Sequence, residues 1–554
     1  MPSNKKSFTY AVLDIETNEL GKATDFGIFD GETYYYSDSV TQAVEYILSL
    51  DVSAVYAHYG LNFDFAIIYR TLLTKVSTVD ISLAGSQAVF ITIKYRKKTI
   101  FLLDSFRLMP ASLAKLSKQF GTEVLKQNLD GVMPWNLTEE ERYSYLKDDC
   151  YALYQVIQSF WEQIDINFGM AKNGQPYRTK TLASLTLKIF IDQYTYKGKV
   201  YNPAKAQAAL EECSYFGGLI YVNSDLSVLK DNVSVYDVNS MYPYVMQSTL
   251  FPYSYHRSEV SKFNPNPKAV ALWVFDYEFF GGIPFVFDIL SRTLSYTGRC
   301  MIDTDTANYI LSQGGHLRFI SGHIYERTSY MFKEYIDKCY NLRQQYGNDS
   351  AMGYVAKILM NSLYGKFGEK SLKRSMSTSL PKGVEDYVIH TTEGIRSMEL
   401  FDYTSDRYIQ HRFPAIASLV TLRARLLLKK AADKQGDNFL YCDTDCIHVI
   451  GEPQGITISH KLGDFKLEHS NIQVIYKGKK AYQIYKDGRI LKTVLKGIPH
   501  AAREGMDFRD LTNKEELVKY VGFTSLTGIA TNREKEFRSI DKTRTVRDND
   551  SRLY

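Results

Sequence analysis

An α/β module followed by a larger α+β assembly is the fold class the sequence predicts, and three observations predict it. Strand-like apolar runs alternate with helical periodicity through the first ~190 residues, the pattern of a compact α/β domain. Helix-spaced apolar residues then dominate from Met331 to Leu363 and from Pro414 to Lys430, with strand-rich stretches on either side. The chain has 554 residues, which at about 150 residues per domain is length for three or four modules.

The first element is the strand-like run Tyr10–Ile15, which carries Asp14-Ile15-Glu16 at its end. Residues two apart on a strand face one side, so both carboxylates project together. Ala54–Ala57, Val89–Ile93 and Thr99–Leu103 supply further strands, and Glu139–Ile164 is helical in pattern. Asp64 closes His58-Tyr-Gly-Leu-Asn-Phe-Asp64, just ahead of the apolar run Phe65–Tyr69. Asp149 follows Tyr145 by four residues, a spacing that shares one helix face. Clustered hard oxygens of this kind bind Mg²⁺, and a two-metal site activates water and stabilises charge at phosphorus. Tyr145, one turn before Asp149, is placed to orient that water. Each piece alone occurs by chance; together, in this order, they resemble the three motifs of the DEDDy class of 3′→5′ exonucleases.

Further along, Val235-Tyr-Asp237-Val-Asn-Ser-Met-Tyr242-Pro puts a carboxylate at the end of an apolar strand. Asn438-Phe-Leu-Tyr-Cys-Asp443-Thr-Asp445-Cys-Ile-His-Val-Ile puts two more at the tip of a hairpin with apolar arms. Such carboxylates can hold a metal pair that aligns a primer 3′-OH with a triphosphate. Asp303-Thr-Asp305 repeats the triplet, but Ala307, Tyr309, Ile310 and Leu311 read as a helix, so those aspartates are expected to cap it. Between the two acidic elements lies Val355-Ala-Lys357-Ile-Leu-Met-Asn361-Ser-Leu-Tyr364-Gly365, with Lys357, Asn361 and Tyr364 on one helix face. That face offers a cation for phosphate oxygens, an amide and a ring.

DVNSMYP, K-x3-NSLYG and YCDTD resemble motifs A, B and C of family B DNA polymerases. Tyr215-Phe-Gly217-Gly218 resembles the element joining the exonuclease and polymerase modules, and Thr421-Leu-Arg-Ala-Arg425 one that contacts primer–template. Lys480-Ala-Tyr482 matches the KxY element that places the primer strand. Asn62, Ser105, Phe106 and Lys126 correspond to residues that hold the single-stranded 3′ end and assist cleavage. The chain is similar to the protein-primed, phi-29-like members: no separate N-terminal domain is expected ahead of Asp14, and Phe319–Lys338 resembles the first of two insertions typical of that group. Motif C ends in Cys446 where the family usually has Ser, and the family lysine upstream of motif B is matched by Arg343.

The resemblance implies an RNase H-like 3′→5′ exonuclease domain over residues 1–175 and a right-hand polymerase. Its palm is expected at 176–255 and 413–496, fingers at 339–367 and thumb at 497–554, with protein-priming insertions at 256–338 and 368–412. Asp237 and Asp445, with the Val238 carbonyl, are expected to bind metal for synthesis, and Asp443 to tune the site. Arg343 and Lys357 would neutralise the triphosphate, Tyr242 would exclude a 2′-OH, and Asn361 and Tyr364 would complete the pocket. Proofreading would use Asp14, Glu16, Asp64 and Asp149 as ligands. Mg²⁺ is expected, two ions per site, with Mn²⁺ as a substitute. Implied partners are primer–template and single-stranded DNA, dNTPs, and a terminal protein as primer, with the chain a monomer or a heterodimer with that protein.

Composition agrees with a DNA-handling enzyme. The net charge is +5, yet Asn471–His500 holds seven basic residues against Asp487 alone. Its tyrosines Tyr476, Tyr482 and Tyr485 interleave with the lysines, as suits a phosphate backbone; a solvated hairpin is the plain alternative. Six scattered cysteines without a CxxC pair point to a reducing, cytoplasmic setting (a bacterial host if phage-encoded). Asp14 and Glu16 interrupt the first apolar stretch, against a signal peptide. Three rivals remain at this stage: a stand-alone exonuclease, an RNA-dependent or RNA-making polymerase, and a non-catalytic scaffold for a terminal protein.

Overall fold

The computed structural model describes residues 8–126, 132–195, 200–223, 228–392, 398–406, 409–498, 503, 505–510, 515–531 and 538–547. At the heart of the N-terminal module, Tyr10–Thr17 pairs antiparallel with Ala23–Phe29 and parallel with Ala54–Ala57, which runs parallel to Lys98–Asp104. Both faces of this strand are apolar because helices cover both. Ala11, Leu13 and Ile15 pack with the helices Val40–Ser49 and Asp64–Lys75, while Val12 faces the helix Glu139–Phe168. That last helix starts with a Thr138/Glu141 capping box and acidic residues in its first turn, which satisfy its free amides and its dipole.

The sheet of this module continues into a distant part of the chain. Leu372–Ser377 pairs with Thr78–Ala84, placing Ser375 opposite Ser82 and Ser377 opposite Asp80. Met398–Asp406 and Tyr387–Thr392 follow, completing a ten-stranded sheet. Met376 and Leu400 are buried in the same core as Ile81 and Ile91. Strands of the segment 368–412 thus extend the N-terminal sheet.

A second, seven-stranded sheet centres on Lys230–Val238, flanked by Cys446–Ile450 and Phe465–Gly478. The helix Pro414–Asp433 packs against it and is buried along most of its length. A separate four-stranded sheet is built from Arg257–Val260, His316–Tyr325, Ala271–Glu278 and Thr297–Asp303. Asp303 caps the helix Thr304–Ser312, its carboxylate accepting from the Thr306 amide at 3.1 Å. Near the C-terminus, Glu515–Phe523 pairs with Ser539–Arg547, and Leu526, Ile529 and Ala530 join the N-terminal core.

The helix-spaced stretch Met331–Leu363 forms two helices, Lys333–Tyr346 and Ala351–Ser362. Gly347, at φ +82°, ends the first, and Ser350 starts the second by accepting from the Gly353 amide at 2.9 Å. No helix among the described residues is long and apolar enough to cross a membrane.

Candidate active sites

The first site is assembled from three elements of the N-terminal module. Asp14 and Glu16 share one side of the strand Tyr10–Thr17, Asp64 opens the helix Asp64–Lys75, and Asp149 projects from the long helix. Ligand atoms of Asp14, Glu16 and Asp149 lie within 4.8 Å of one another, a group able to hold a metal ion. Crowding and burial show in their acidities. Burial first, then Asp149, pushes Asp14 up to about 7, and burial with Asp14 pushes Glu16 to about 9. Burial and Asp14 likewise raise Asp64. Oδ1 of Asp64 and Oδ1 of Asp149 are buried without a hydrogen-bond partner. Buried acceptors left in this way are costly unless a cation or donor meets them, so the donor set fits a divalent ion.

Lys126 enters this cluster from the side. Its Nζ pairs with Asp149 and donates to the Tyr145 hydroxyl at 2.9 Å. Tyr145 is thereby oriented one turn from Asp149. Of the expected single-strand contacts, Asn62 and Phe106 line a groove of about 1280 Å³ shared with Lys366, Lys373 and Arg374. Ser105 is different: it is fully buried, its hydroxyl bound to His58 Nδ1 at 2.9 Å and the Ala57 carbonyl at 3.3 Å. These bonds fix Ser105 at the end of the strand Lys98–Asp104. Sequence reasoning passed over Tyr59, which is 45% exposed, sits at φ +62° and stacks on Phe106 at 4.0 Å. Its only local signal is an aromatic residue beside a glycine turn.

The second site forms where two strands of the seven-stranded sheet meet. Asp237 lies opposite Cys446 in register, so motif A sits beside the motif C hairpin. Thr444 at φ +64° makes the hairpin tip, and the Val238 amide donates to the Asp445 carbonyl at 2.7 Å. Burial, Asp237 and Asp443 together push Asp445 up to about 7. Asp443 is already committed: Lys480 Nζ donates to both its oxygens at 2.6 Å, with Thr444 Oγ1 at 3.0 Å and Tyr441 at 3.3 Å. Asp237, whose Oδ2 lies 3.2 Å from Lys466 Nζ, and Asp445 line a cavity of about 400 Å³ together with Lys480 and Tyr482. Tyr482 packs its ring on Tyr441 and His448 at 5.2 and 5.1 Å.

Cations gather on the side of this site nearest the helix Ala351–Ser362. Partial desolvation first, then the charges of Arg343, Lys466 and Lys115, lower the pKa of Lys357, which Asp237 opposes. Arg343 reaches the Ser240 hydroxyl at 3.5 Å and Asn348 at 2.7 Å. Asn361 donates to the Lys357 carbonyl at 2.8 Å, and the Tyr242 and Tyr364 rings meet at 4.7 Å. Sequence reasoning also missed Lys466 and Glu468, since only strand register brings them to Asp237.

Tyr215, Gly217, Gly218, Tyr364, Thr421 and Lys496 line a further cavity of about 500 Å³. Arg425 is 2% exposed and donates to the carbonyls of Phe216 and Gly217 at 3.2 and 2.7 Å. It therefore holds the Tyr215–Gly218 loop through its backbone carbonyls. A Cβ on Gly218 would meet Thr444 Oγ1 at 2.8 Å and Thr444 Cα at 3.0 Å. Gly218→Ala is expected to displace the hairpin tip and cut primer extension by roughly 10- to 100-fold, because small misplacements at reacting groups are expensive. Single-strand degradation should change less than threefold, and equal loss of both activities in gel assays would refute this.

A family model for organellar and viral type B DNA polymerases matches residues 47–134 and 130–409. The DNA-directed DNA polymerase of Enterobacteria phage PRD1 is 25% identical over 533 residues, covering 90% of this chain and 87% of the relative. The DNA polymerase of Bacillus phage phi29 is 26% identical over 481 residues, covering 76% and 75%. A probable DNA polymerase of Neurospora intermedia is 25% identical over 529 residues, and the match spans 79% of this chain but 52% of that longer relative. The solved structure of phi29 DNA polymerase complexed with primer-template DNA superposes with a TM-score of 0.76 at 21% identity, over 98% of this chain and 100% of that one. At that identity the likeness concerns the fold.

Proposed function

Because the chain belongs to the organellar and viral type B DNA polymerases, we propose that it copies DNA from dNTPs and removes mispaired 3′ ends at a second site. The observation that carries this reading is the separation of two carboxylate clusters. Asp14, Glu16, Asp64 and Asp149 form one, and Asp237 and Asp445 with Asp443 the other, with the Tyr215–Gly218 loop between them in the chain. Mg²⁺ ions held at these carboxylates would supply positive charge for the phosphoryl oxygens and acidify the attacking hydroxyl or water.

The residues divide the remaining work. Lys357 and Arg343 bind triphosphate oxygens, and Lys480 holds Asp443 while Asp237 and Asp445 serve as the principal metal ligands. Tyr242, packed on Tyr364, sits beneath the sugar and excludes a 2′-OH; Asn361 completes that pocket. Lys126 orients Tyr145, and Tyr145 orients the hydrolytic water. Tyr59 and Phe106 stack the bases of a frayed 3′ end. Tyr242→Val is expected to raise ribonucleotide incorporation relative to deoxynucleotide by at least about tenfold, within the range of a pocket contact. Competitive single-nucleotide insertion assays would check this, and unchanged selectivity would remove Tyr242 from that role.

The reading extends to a linear viral or plasmid genome, primed by the hydroxyl of a terminal protein and copied processively with strand displacement; in a phage the setting is the bacterial cytoplasm. Its support is the similarity to phage polymerases and the two segments, 256–338 and 368–412, that resemble insertions of protein-primed enzymes. The first test is a 5′-labelled primer on a DNA template with Mg²⁺. The primer should lengthen with dNTPs and shorten without them; shortening under both conditions would leave only an exonuclease. Lengthening with NTPs or on RNA would overturn the DNA assignment. Incubation with the terminal protein and a labelled dNTP should yield a covalent adduct, and its absence with a verified partner would sink protein priming.

A further inference from the structure

The strand Phe465–Gly478 runs antiparallel to Lys230–Val238 and sets Lys466 directly opposite Asp237. Directly opposed residues of an antiparallel pair project to the same face, close enough for their side chains to interact. Here they do: Lys466 Nζ lies 3.2 Å from Asp237 Oδ2 and 2.5 Å from Glu468 Oε1. One ammonium group is thus held between two carboxylates, and one of these is a principal ligand of the polymerase site.

The neighbouring cations are placed differently. Lys480 is committed to Asp443. Arg343 contacts Ser240 and Asn348. Lys357 acts on Asp237 electrostatically from the helix Ala351–Ser362. Among the described residues, Lys466 is the basic side chain in ion-pair contact with Asp237. A carboxylate oxygen paired with an ammonium group is partly neutralised, so a divalent cation can claim it only by displacing that group. Glu468 offers the displaced ammonium a second partner on the same strand, so Lys466 need not be left unpaired.

We propose that Lys466 is a displaceable counter-ion of Asp237, with Glu468 as its resting partner, so that divalent-cation binding at the palm exchanges one cation for another. The inference rests on the reading of Asp237 and Asp445 as the polymerase metal site. Two consequences follow. Asp237 stays paired, and so positioned, in the metal-free enzyme. Metal affinity is held below what the bare carboxylates would give, by a factor set by a half-exposed ion pair. Pairs of that kind are worth about 1.5- to 5-fold in an equilibrium constant. Lys466 is accordingly a positioning residue that acts through Asp237.

The test measures Mn²⁺ binding to the full-length protein, without DNA or nucleotide, by electron paramagnetic resonance titration. The background is Asp14→Ala with Asp64→Ala, which silences the other acidic cluster. Lys466→Gln should bind Mn²⁺ about 1.5- to 5-fold more tightly than the parent, and Lys466→Arg, which keeps the charge, should match the parent. Thermal melts establish that each variant is folded. If Lys466→Gln leaves the affinity unchanged or weakens it while binding still depends on Asp237, the counter-ion role is overturned. A raised KM for dNTP with unchanged Mn²⁺ affinity would also overturn it, and would make Lys466 a triphosphate contact. Asp237→Asn should abolish the binding; if it does not, the metal-site reading itself fails, and the inference with it.

Discussion

Asp445→Asn is expected to lower primer extension by about 10²- to 10³-fold, the scale set by removing one preorganised electrostatic stabiliser from a transition state, while leaving 3′ degradation within threefold of the parent. The asymmetry follows from where Asp445 sits. It lies at the tip of the motif C hairpin, where its carbonyl holds the Val238 amide and its carboxylate faces Asp237 across the strand pair. An amide has nearly the carboxylate's shape, so the backbone contact and the hairpin should persist and only the charge is lost. Removing that charge also relieves its repulsion with Asp237 and Asp443, which together with burial holds Asp445 near pH 7. The folded protein should therefore be at least as stable as the parent above that pH. Asp443→Asn makes an instructive comparison. That carboxylate is bound by Lys480 through both oxygens, so its loss frees a lysine rather than removing an open ligand. Its effect on extension should be smaller than that of Asp445→Asn. Single-turnover extension and degradation of one labelled substrate measure all of this, and equal loss of both activities in Asp445→Asn would refute the division into two sites.

The parts of these sites legible in the sequence are those written in short-range spacing. Asp14 and Glu16 share a face because strands alternate, Tyr145 and Asp149 because helices return after about four residues. Asp303 declared itself a cap through the helix that follows it. Relations set by strand register were not legible. Lys466 meets Asp237 only because Phe465–Gly478 pairs with Lys230–Val238 through several irregularities, and no local pattern encodes where those fall. Nor could the sequence show that Leu372–Ser377 would add to the sheet at Thr78–Ala84, a pairing across nearly 300 residues in which Ser377 meets Asp80. Side-chain direction at short turns was equally hidden: Ser105 and Phe106 are neighbours, yet one is buried and the other lines the groove. Arg425 illustrates a third hidden feature, the burial of a charged side chain. A charged residue on a helix reads as exposed, but here the helix is buried along most of its length and Nη1 of Arg425 donates to the Phe216 and Gly217 carbonyls.

Asp14→Ala combined with Asp64→Ala should show the reverse of the Asp445 result, with single-strand degradation reduced by about 10²- to 10³-fold and extension retained. Its second consequence concerns stability, and the sign follows from the acidities. In the metal-free protein Asp14 is raised from an ordinary 3.8 to about 7 and Glu16 from 4.5 to about 9. The folded state therefore keeps protons that the unfolded chain has released. A group raised in this way favours the fold fully below its unfolded value and loses that advantage as pH climbs through its folded value. In EDTA the parent should lose thermal stability between about pH 4 and pH 9 at this cluster, more steeply than a variant with fewer carboxylates. Asp14→Asn, which keeps the side-chain shape, isolates that term: it should melt higher than the parent at pH 8 in EDTA and converge with it near pH 4. Adding Mg²⁺ should reverse the order at pH 8, since a cation bound only by the folded state stabilises the parent by mass action. If the parent melts at the same temperature in EDTA and in Mg²⁺ across this range, neither the crowding of Asp14, Glu16, Asp64 and Asp149 nor their partnerless buried oxygens can be the mark of a cation site.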